Sequence, residues 1–256
     1  MLRHTPRRAQ GRSYREDLAV GQIYLVRHGQ ASFGAADYDK LSATGVEQAR
    51  LLGSWFASCQ QRFGQSVTGS LRRHRETAEA CLAALPGPLK PAQLLADPDF
   101  DEYDHTEVLI RHRPGFADTE AAYAALARHD NPRRAFQQVF AAAMARWMGG
   151  EHDAEYRESW PAFRARCVRA LQRLVAQAGS ARSAIVFTSG GPIAAICQEL
   201  LGFPDRRAAE LNFALVNSAV TKLLYRSGEP ERVSLSYLNN FAHLERTGQA
   251  QAVTYR

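Results

Sequence analysis

Cysteine is scarce in this 256-residue chain, and the four present (Cys59, Cys81, Cys167 and Cys197) lie far apart. They form no CxxC pair and no Cys/His ligand spacing, which argues against a disulfide framework or a structural zinc site. Each sits among apolar residues in a segment of helical pattern, so the expectation is four buried, reduced thiols. Long apolar runs are missing too. No stretch approaches the roughly 20 residues of a membrane span, and the arginine-bearing start lacks the apolar segment of a secretory signal. Internal repeats, low-complexity tracts and carboxylate clusters at metal-ligand spacing are absent. The expected location is therefore the cytoplasm, with no membrane contact.

An excess of positive charge is missing from most of the chain as well, despite a net charge of +6. Residues 1–16 carry Arg3, Arg7, Arg8, Arg12 and Arg15 against Glu16, a net +4, which leaves about +2 for everything else. The body gives little support to a nucleic-acid groove, although a basic tail can bind polyanions weakly. What is present is ample core material. Hydrophobic residues make up 45% and charged residues 23%, the balance of a globular protein rather than a disordered one. The length fits one α/β domain with an insertion, or two small domains.

Taken in order, residues 1–21 read as a flexible basic tail and 22–256 as the folded domain. Ile23 to Val26 is a short aliphatic and β-branched run, the composition of a buried parallel strand. Leu41 to Gly45 leads into a helix, with Ser42 or Thr44 as N-cap and Glu47 in its first turn. Leu52, Trp55, Phe56, Cys59 and Phe63 follow helical spacing along one face. Ser66–Gly69 is a second strand, feeding an alanine-rich helix from Ser70 to about Leu85. Gln93–Ala96 is a third, edge-like strand before the acidic turn Asp97–His105. Strand, basic turn and helix, twice in succession, is the signature of a parallel βαβ sheet. Residues 106–160 break this rhythm, with helical segments around 119–128 and 134–148. A helix over 161–178, a strong strand over 183–187 and a helix through Leu201 restore it. Two final strands, 219–225 and 233–238, join through Ser227-Gly228. The expected fold is α/β: a mostly parallel central sheet with helices on both faces, plus a helical insertion over about 106–160 that caps the site.

The first strand ends abruptly in Arg27-His28-Gly29. Polar residues at the carboxyl end of a buried strand sit where open α/β sheets place their ligand crevices. Arginine offers a planar fork of donors for phosphate, and histidine is a nucleophile or proton carrier near neutral pH. These residues alone also fit a strand that simply ends in solvated side chains.

Three further stretches separate the two readings. Arg27-His28-Gly29-Gln30 is followed by Leu41-Ser42-Ala43-Thr44-Gly45-Val46-Glu47-Gln48-Ala49, then by Leu71-Arg72-Arg73-His74-Arg75-Glu76-Thr77-Ala78, then by the acidic turn containing Glu102. In this order and at these separations, across roughly residues 22–226, the chain resembles the histidine phosphatase superfamily, the phosphoglycerate-mutase-like group. The resemblance implies that His28 is a nucleophile forming a phosphohistidine. It implies that Arg27 and Arg73 hold the phosphoryl oxygens, and that Glu102 is the general acid and base. Arg73 lies four residues before Thr77, where the family's Arg-x-x-Glu-Thr-Ala pattern puts its second arginine; Arg72 and Arg75 are the competitors. Asp101, Asp104 and Glu107 compete in the same way with Glu102. No metal and no cofactor are implied, because two arginines supply the positive charge a metal would bring.

One position departs from the pattern. The family usually carries a second histidine in a Ser-His-Gly turn after the late strand, and here that turn reads Thr188-Ser189-Gly190-Gly191. Ser189 and the Gly190 amide are left as phosphate-binding groups. A hydroxyl brings no charge, and charge-assisted hydrogen bonds are about twice as strong as neutral ones. The loss corresponds to about one to two powers of ten in phosphate affinity and transfer rate. Gly190 and Gly191, or one of His74, His105 and His243, are candidates to compensate. The residues after Arg-His-Gly, Ala31 to Lys40, also lack the family's usual asparagine and further arginine. The expected function is hydrolysis of a small phosphomonoester. The alternatives are mutase-type phosphoryl transfer and a weakly active or inactive phospholigand-binding protein.

Overall fold

Strand β1 (Val20–Arg27) forms where apolar side chains can alternate between two covered faces. Ile23 and Leu25 enter one apolar cluster with Ala184, Val186 and Leu223, whereas Tyr24 and Val26 enter another with Ile185, Phe187 and Val220. A strand buried on both sides reads as a continuous apolar run, which is why it is legible in the sequence. The computed structural model describes residues 20–32, 39–85, 94–178, 183–226 and 229–255.

The other strands are β2 (Gln65–Thr68), β3 (Leu95–Ala96), β4 (Ser183–Thr188), β5 (Val220–Arg226) and β6 (Glu229–Asn240). They form one sheet in the order β3-β2-β4-β1-β5-β6. The first four run parallel, and β5 and β6 return antiparallel at one edge. From β1 the chain passes beyond β4 to reach β2, and from β4 it passes beyond β1 to reach β5. Connections leaving two adjacent parallel strands in opposite directions open a crevice at their carboxyl ends. In this sheet the crevice lies after Arg27 and Thr188, which are paired in register.

Helices α1 (Ala43–Ser58) and α2 (Arg72–Ala83) cover one face through Leu52, Phe56, Ala78, Cys81 and Leu82. Ser42 caps α1, its Oγ accepting from the Gly45 N–H at 3.1 Å, so the cap is Ser42 and not Thr44. Glu47 lies beyond the first turn and pairs with Arg50 at 2.7 Å. Residues 106–160 hold α3 (His105–His112), α4 (Thr119–Leu126) and α5 (Pro132–Met148). These build a small core of their own around Leu109, Phe116, Leu126 and Phe136. Helices α6 (Trp160–Ala178) and α7 (Gly190–Leu201) cover the second face through Phe163, Cys167, Leu171, Ile193 and Cys197. The chain ends with α8 (Asp205–Ala214) and the short α9 (Ala242–Glu245).

Several expectations need correcting. The strand begins at Val20, so Val20 and Gly21 belong to the sheet and not to the basic tail; residues 1–19 and the Ser227-Gly228 turn lie outside the described residues. Cys59 is exposed, unlike the other three cysteines, because α1 stops at Ser58 and Cys59 closes it. Phe63 therefore reaches its cluster from the following loop. Helices α3 and α8 were not expected. In α3 the acidic turn itself supplies the cap, with Asp104 Oδ1 accepting from the Glu107 N–H at 2.9 Å. No helix among the described residues is long and apolar enough to cross a membrane.

The second face is anchored by a knot of aromatic rings. The Phe163 ring is fully buried, with centroids 5.7 Å from Tyr103, 5.7 Å from Trp147 and 5.6 Å from Trp160. Edge-to-face and tilted contacts of this kind add to the burial of apolar area. Tyr103 directly follows Glu102, so this knot fixes the backbone that carries the carboxylate. Phe163→Ala is expected to lower unfolding stability by about 3–5 kcal/mol, read from the urea midpoint at unchanged slope.

Candidate active site

The carboxyl end of β1 delivers Arg27 and His28 into the crevice. The His28 N–H donates to the Thr188 carbonyl at 2.8 Å, one step past the β1–β4 ladder. The His28 carbonyl accepts from the Ser218 N–H and from Asn217 Nδ2, each at 3.2 Å. Its ring nitrogen Nδ1 lies 2.7 Å from the Gly29 carbonyl. A carbonyl can only accept, so Nδ1 carries the proton and Nε2 keeps a lone pair. Burial, and then the Arg73, Arg27 and His74 charges, hold the ring's pKa well below its ordinary value. The imidazole is therefore neutral.

The end of β2 and the start of α2 bring in Arg73, which is 6% exposed. Its Nη1 donates to Asp39 Oδ1 at 2.7 Å. Asp39 Oδ2 in turn accepts from the Arg72 backbone N–H at 2.7 Å. Arg72 points its side chain elsewhere, to Glu76 at 2.7 Å, and Arg75 is exposed beside Glu79. Of the three arginines, Arg73 is the one at the crevice. Arg27 Nη1 donates to the Leu215 carbonyl.

The turn after β3 supplies Glu102. Its Oε2 accepts from the Gly191 N–H at 3.3 Å, at the amino end of α7. Burial raises its pKa, with the Arg73 charge and the Gly191 amide acting the other way. The competing carboxylates are engaged elsewhere. Asp101 accepts from the Ser70 N–H at 2.6 Å, and Asp104 and Glu107 both pair with Arg157. A cavity of about 250 Å³ opens beside Glu102 between Tyr103, Trp147, Tyr156 and Arg157.

The remaining motif residues brace this arrangement. Thr77 Oγ1 accepts from the Gly29 N–H at 3.0 Å and donates to the Arg73 carbonyl at 2.6 Å, which ties the two halves of the crevice together. Gln48 Oε1 accepts from the Gln30 N–H at 2.9 Å, while its Nε2 donates to Thr254 Oγ1 at 2.8 Å. Thr254 Oγ1 donates to Asn217 Oδ1 at 2.9 Å, closing a loop back to His28. Glu76 Oε2 accepts from the Leu41 N–H at 2.8 Å.

Ser189 is fully buried at the N-cap of α7 and makes no capping bond with its side chain. Its Oγ lies 2.6 Å from His74 Nε2. The three histidines offered as compensation separate clearly. His74 lies near His28, with ring centroids 5.8 Å apart. Burial, and then the Arg73 charge, lower the pKa of His105. His243 bonds Ser218 at 2.8 Å and faces Trp55. Sequence reasoning missed Asp39 as the partner of Arg73, and nothing in the residues around it marks it out.

Fold and site together define an α/β protein of the histidine phosphatase type. The family model for the histidine phosphatase superfamily (branch 1) matches residues 23–139 and 127–237, and the chain belongs to that superfamily. No curated protein matches it at the level of sequence. Among solved structures it is similar to a phosphoglycerate mutase from Bacillus anthracis, with TM-score 0.59 and 17% identity over 91% of this chain and 99% of that one. It is also similar to a mycobacterial glucosyl-3-phosphoglycerate phosphatase, with TM-score 0.57 and 20% identity over 86% of this chain and 99% of that one. A phosphoserine phosphatase from Entamoeba histolytica gives TM-score 0.58 and 15% identity over 88% and 99%. At these identities the likeness is one of fold.

Gly191 must be glycine for Glu102 to stand where it does. A Cβ there would come within 2.0 Å of Glu102 Oε1 and 2.9 Å of the Tyr103 ring. In a crystal structure of Gly191→Ala the Glu102 carboxyl is expected to move by more than about 1 Å, to restore van der Waals distance, with the His28 ring in place. A carboxyl still seated on the residue 191 amide would contradict this close approach.

Proposed function

We propose that the chain is a phosphomonoester hydrolase acting through a phosphohistidine on His28. The observation that carries the reading is the His28 ring itself, neutral and with Nδ1 held by the Gly29 carbonyl at 2.7 Å. Nε2 is then the one nucleophilic nitrogen, and it needs no separate base. Its lone pair attacks phosphorus while the bond from phosphorus to the ester oxygen breaks. Arg27 and Arg73, with Ser189 and the Gly190 amide, neutralise the phosphoryl oxygens through the transition state. Glu102, whose pKa burial raises, gives its proton to the departing alkoxide. Glu102, now a carboxylate, takes a proton from water as that water attacks the phosphohistidine, and inorganic phosphate departs with His28 restored.

Hydrolysis is favoured over mutase-type transfer by the Asp39 carboxylate, which neutralises part of the Arg73 charge. A bisphosphorylated intermediate needs more cationic charge than this crevice offers. The substrate is a small phosphorylated molecule, the kind named for the phosphoserine and glucosyl-3-phosphoglycerate phosphatases of similar fold.

The pKa directions fix the pH behaviour. His28 must be neutral, and its lowered pKa keeps it so on the acid side of neutrality. Glu102 must be protonated, and its raised pKa extends that form upward. The rate is therefore expected to fall as pH rises through the raised Glu102 pKa, and Glu102→Gln should remove that alkaline limb. Intact mass after a rapid neutral quench with p-nitrophenyl phosphate should show one added phosphoryl group on the wild type and none on His28→Ala. Steady-state turnover should drop by about 10³-fold or more in His28→Ala and about 10²–10⁴-fold in Glu102→Gln. Equal phosphate release by wild type and His28→Ala would remove the proposal.

A further inference from the structure

Helix α2 places an imidazole directly against Ser189. The His74 ring is fully buried, its centroid is 5.8 Å from that of His28 and the two planes are inclined by 35°. Nε2 is 2.6 Å from Ser189 Oγ, and Nδ1 faces Asp101 Oδ1 at 3.7 Å, an ion-pair distance and not a hydrogen bond. Asp101 is in turn held by the Ser70 N–H and hydroxyl. The space for this row is made by Gly69 at the end of β2. A Cβ at that position would come within 2.3 Å of His74 Nδ1 and 2.5 Å of Asp101 Oδ1. Carboxylate, imidazole and hydroxyl thus follow one another, with the imidazole beside the His28 ring.

Resting on the hydrolase reading above, we propose that His74 supplies from α2 the imidazole that the turn after β4 lacks, acting through Ser189 on the phosphoryl group. With the crevice empty, the Nδ1–H tautomer faces Asp101 and Nε2 accepts the Ser189 hydroxyl. A seated phosphoryl dianion favours a second proton on the ring, taken from the phosphomonoester monoanion or from water. Nε2–H then donates to Ser189 Oγ, and the serine O–H turns to a phosphoryl oxygen. His74 is a positioning residue in this scheme, and Ser189 makes the contact. Burial opposes the second proton, as does Arg73 on the same helix, while the neutral His28 beyond it adds no charge. Asp101 after β3 and Asp39 before α1 favour it. The imbalance is tipped by the arriving dianion.

A double-mutant cycle on the rate of His28 phosphorylation by p-nitrophenyl phosphate tests this, read by rapid quench and intact mass. His74→Gln keeps a donor near Ser189 without a titratable charge, and Ser189→Ala removes the contact with little change in volume. Each is expected to slow phosphorylation by about 10–100-fold. The two losses should not add, because both break one chain. Returning the histidine to the turn, in the double variant His74→Ala/Ser189→His, should recover all but a few-fold of the rate. Inorganic phosphate arriving as its dianion, on the alkaline side of neutrality, should bind the wild type with uptake of a proton from solvent, and His74→Gln without it. A folded His74→Gln variant that phosphorylates at the wild-type rate would overturn the assignment, as would fully additive losses. Absence of a phosphohistidine in the wild type would instead overturn the hydrolase reading itself.

Discussion

The hydrogen bond from His28 Nδ1 to the Gly29 carbonyl, 2.7 Å long, settles which face of the imidazole is chemically available. A carbonyl one residue along the same chain cannot leave the ring, so the tautomer is set by local backbone geometry and not by a distant side chain. Everything else at the crevice presupposes it. Two guanidiniums beside a neutral ring depress its basicity while enriching the space around it in positive potential. The same surroundings act oppositely on a buried carboxyl, where loss of water outweighs the nearby cations. Pushing an acid and a base apart in opposite directions is how a single pocket holds one neutral nucleophile and one proton donor at the same pH.

Much of the motif sequence around these groups does no chemistry on this reading. Thr77, Gln48, Ser42 and Glu76 spend their polar atoms on the backbone amides of Gly29, Gln30, Gly45 and Leu41. The first two and the last of those amides belong to a strand end and the loop after it, and that of Gly45 to the first turn of α1; neither place offers a backbone partner, and an unpaired buried donor is costly. The motif spacing records where helical side chains must rise to meet that loop.

The central strands were legible because they are covered on both sides, leaving runs such as Ile23–Val26 and Ala184–Phe187 with little else to be. Helices α1 and α6 were legible from one apolar stripe each, and α2 from its alanine content. Helix α3 was not, because Asp104 and Glu107 resemble a solvated acidic turn until one is seen to cap the other's amide. Helix α8 pairs a weak stripe with Ala208 as its one fully buried side chain. Within the crevice, the residues that touch backbone at fixed offsets stood out by spacing. Asp39 and His74 did not, because their importance comes from segments 34 and 115 residues away, and one-dimensional spacing carries no trace of such meetings.

The proposed nucleophile enters the chain at position 28, yet its carbonyl is held by residues 217 and 218, and Asn217 is in turn tied to Thr254 through both its backbone N–H and its side chain. A ribosome making this protein therefore releases the histidine long before the atoms that seat it. Until residue 254 has cleared the exit tunnel, the nascent domain can build its sheet but not a finished crevice. Seating that one ring therefore waits on a stretch of chain made long after it.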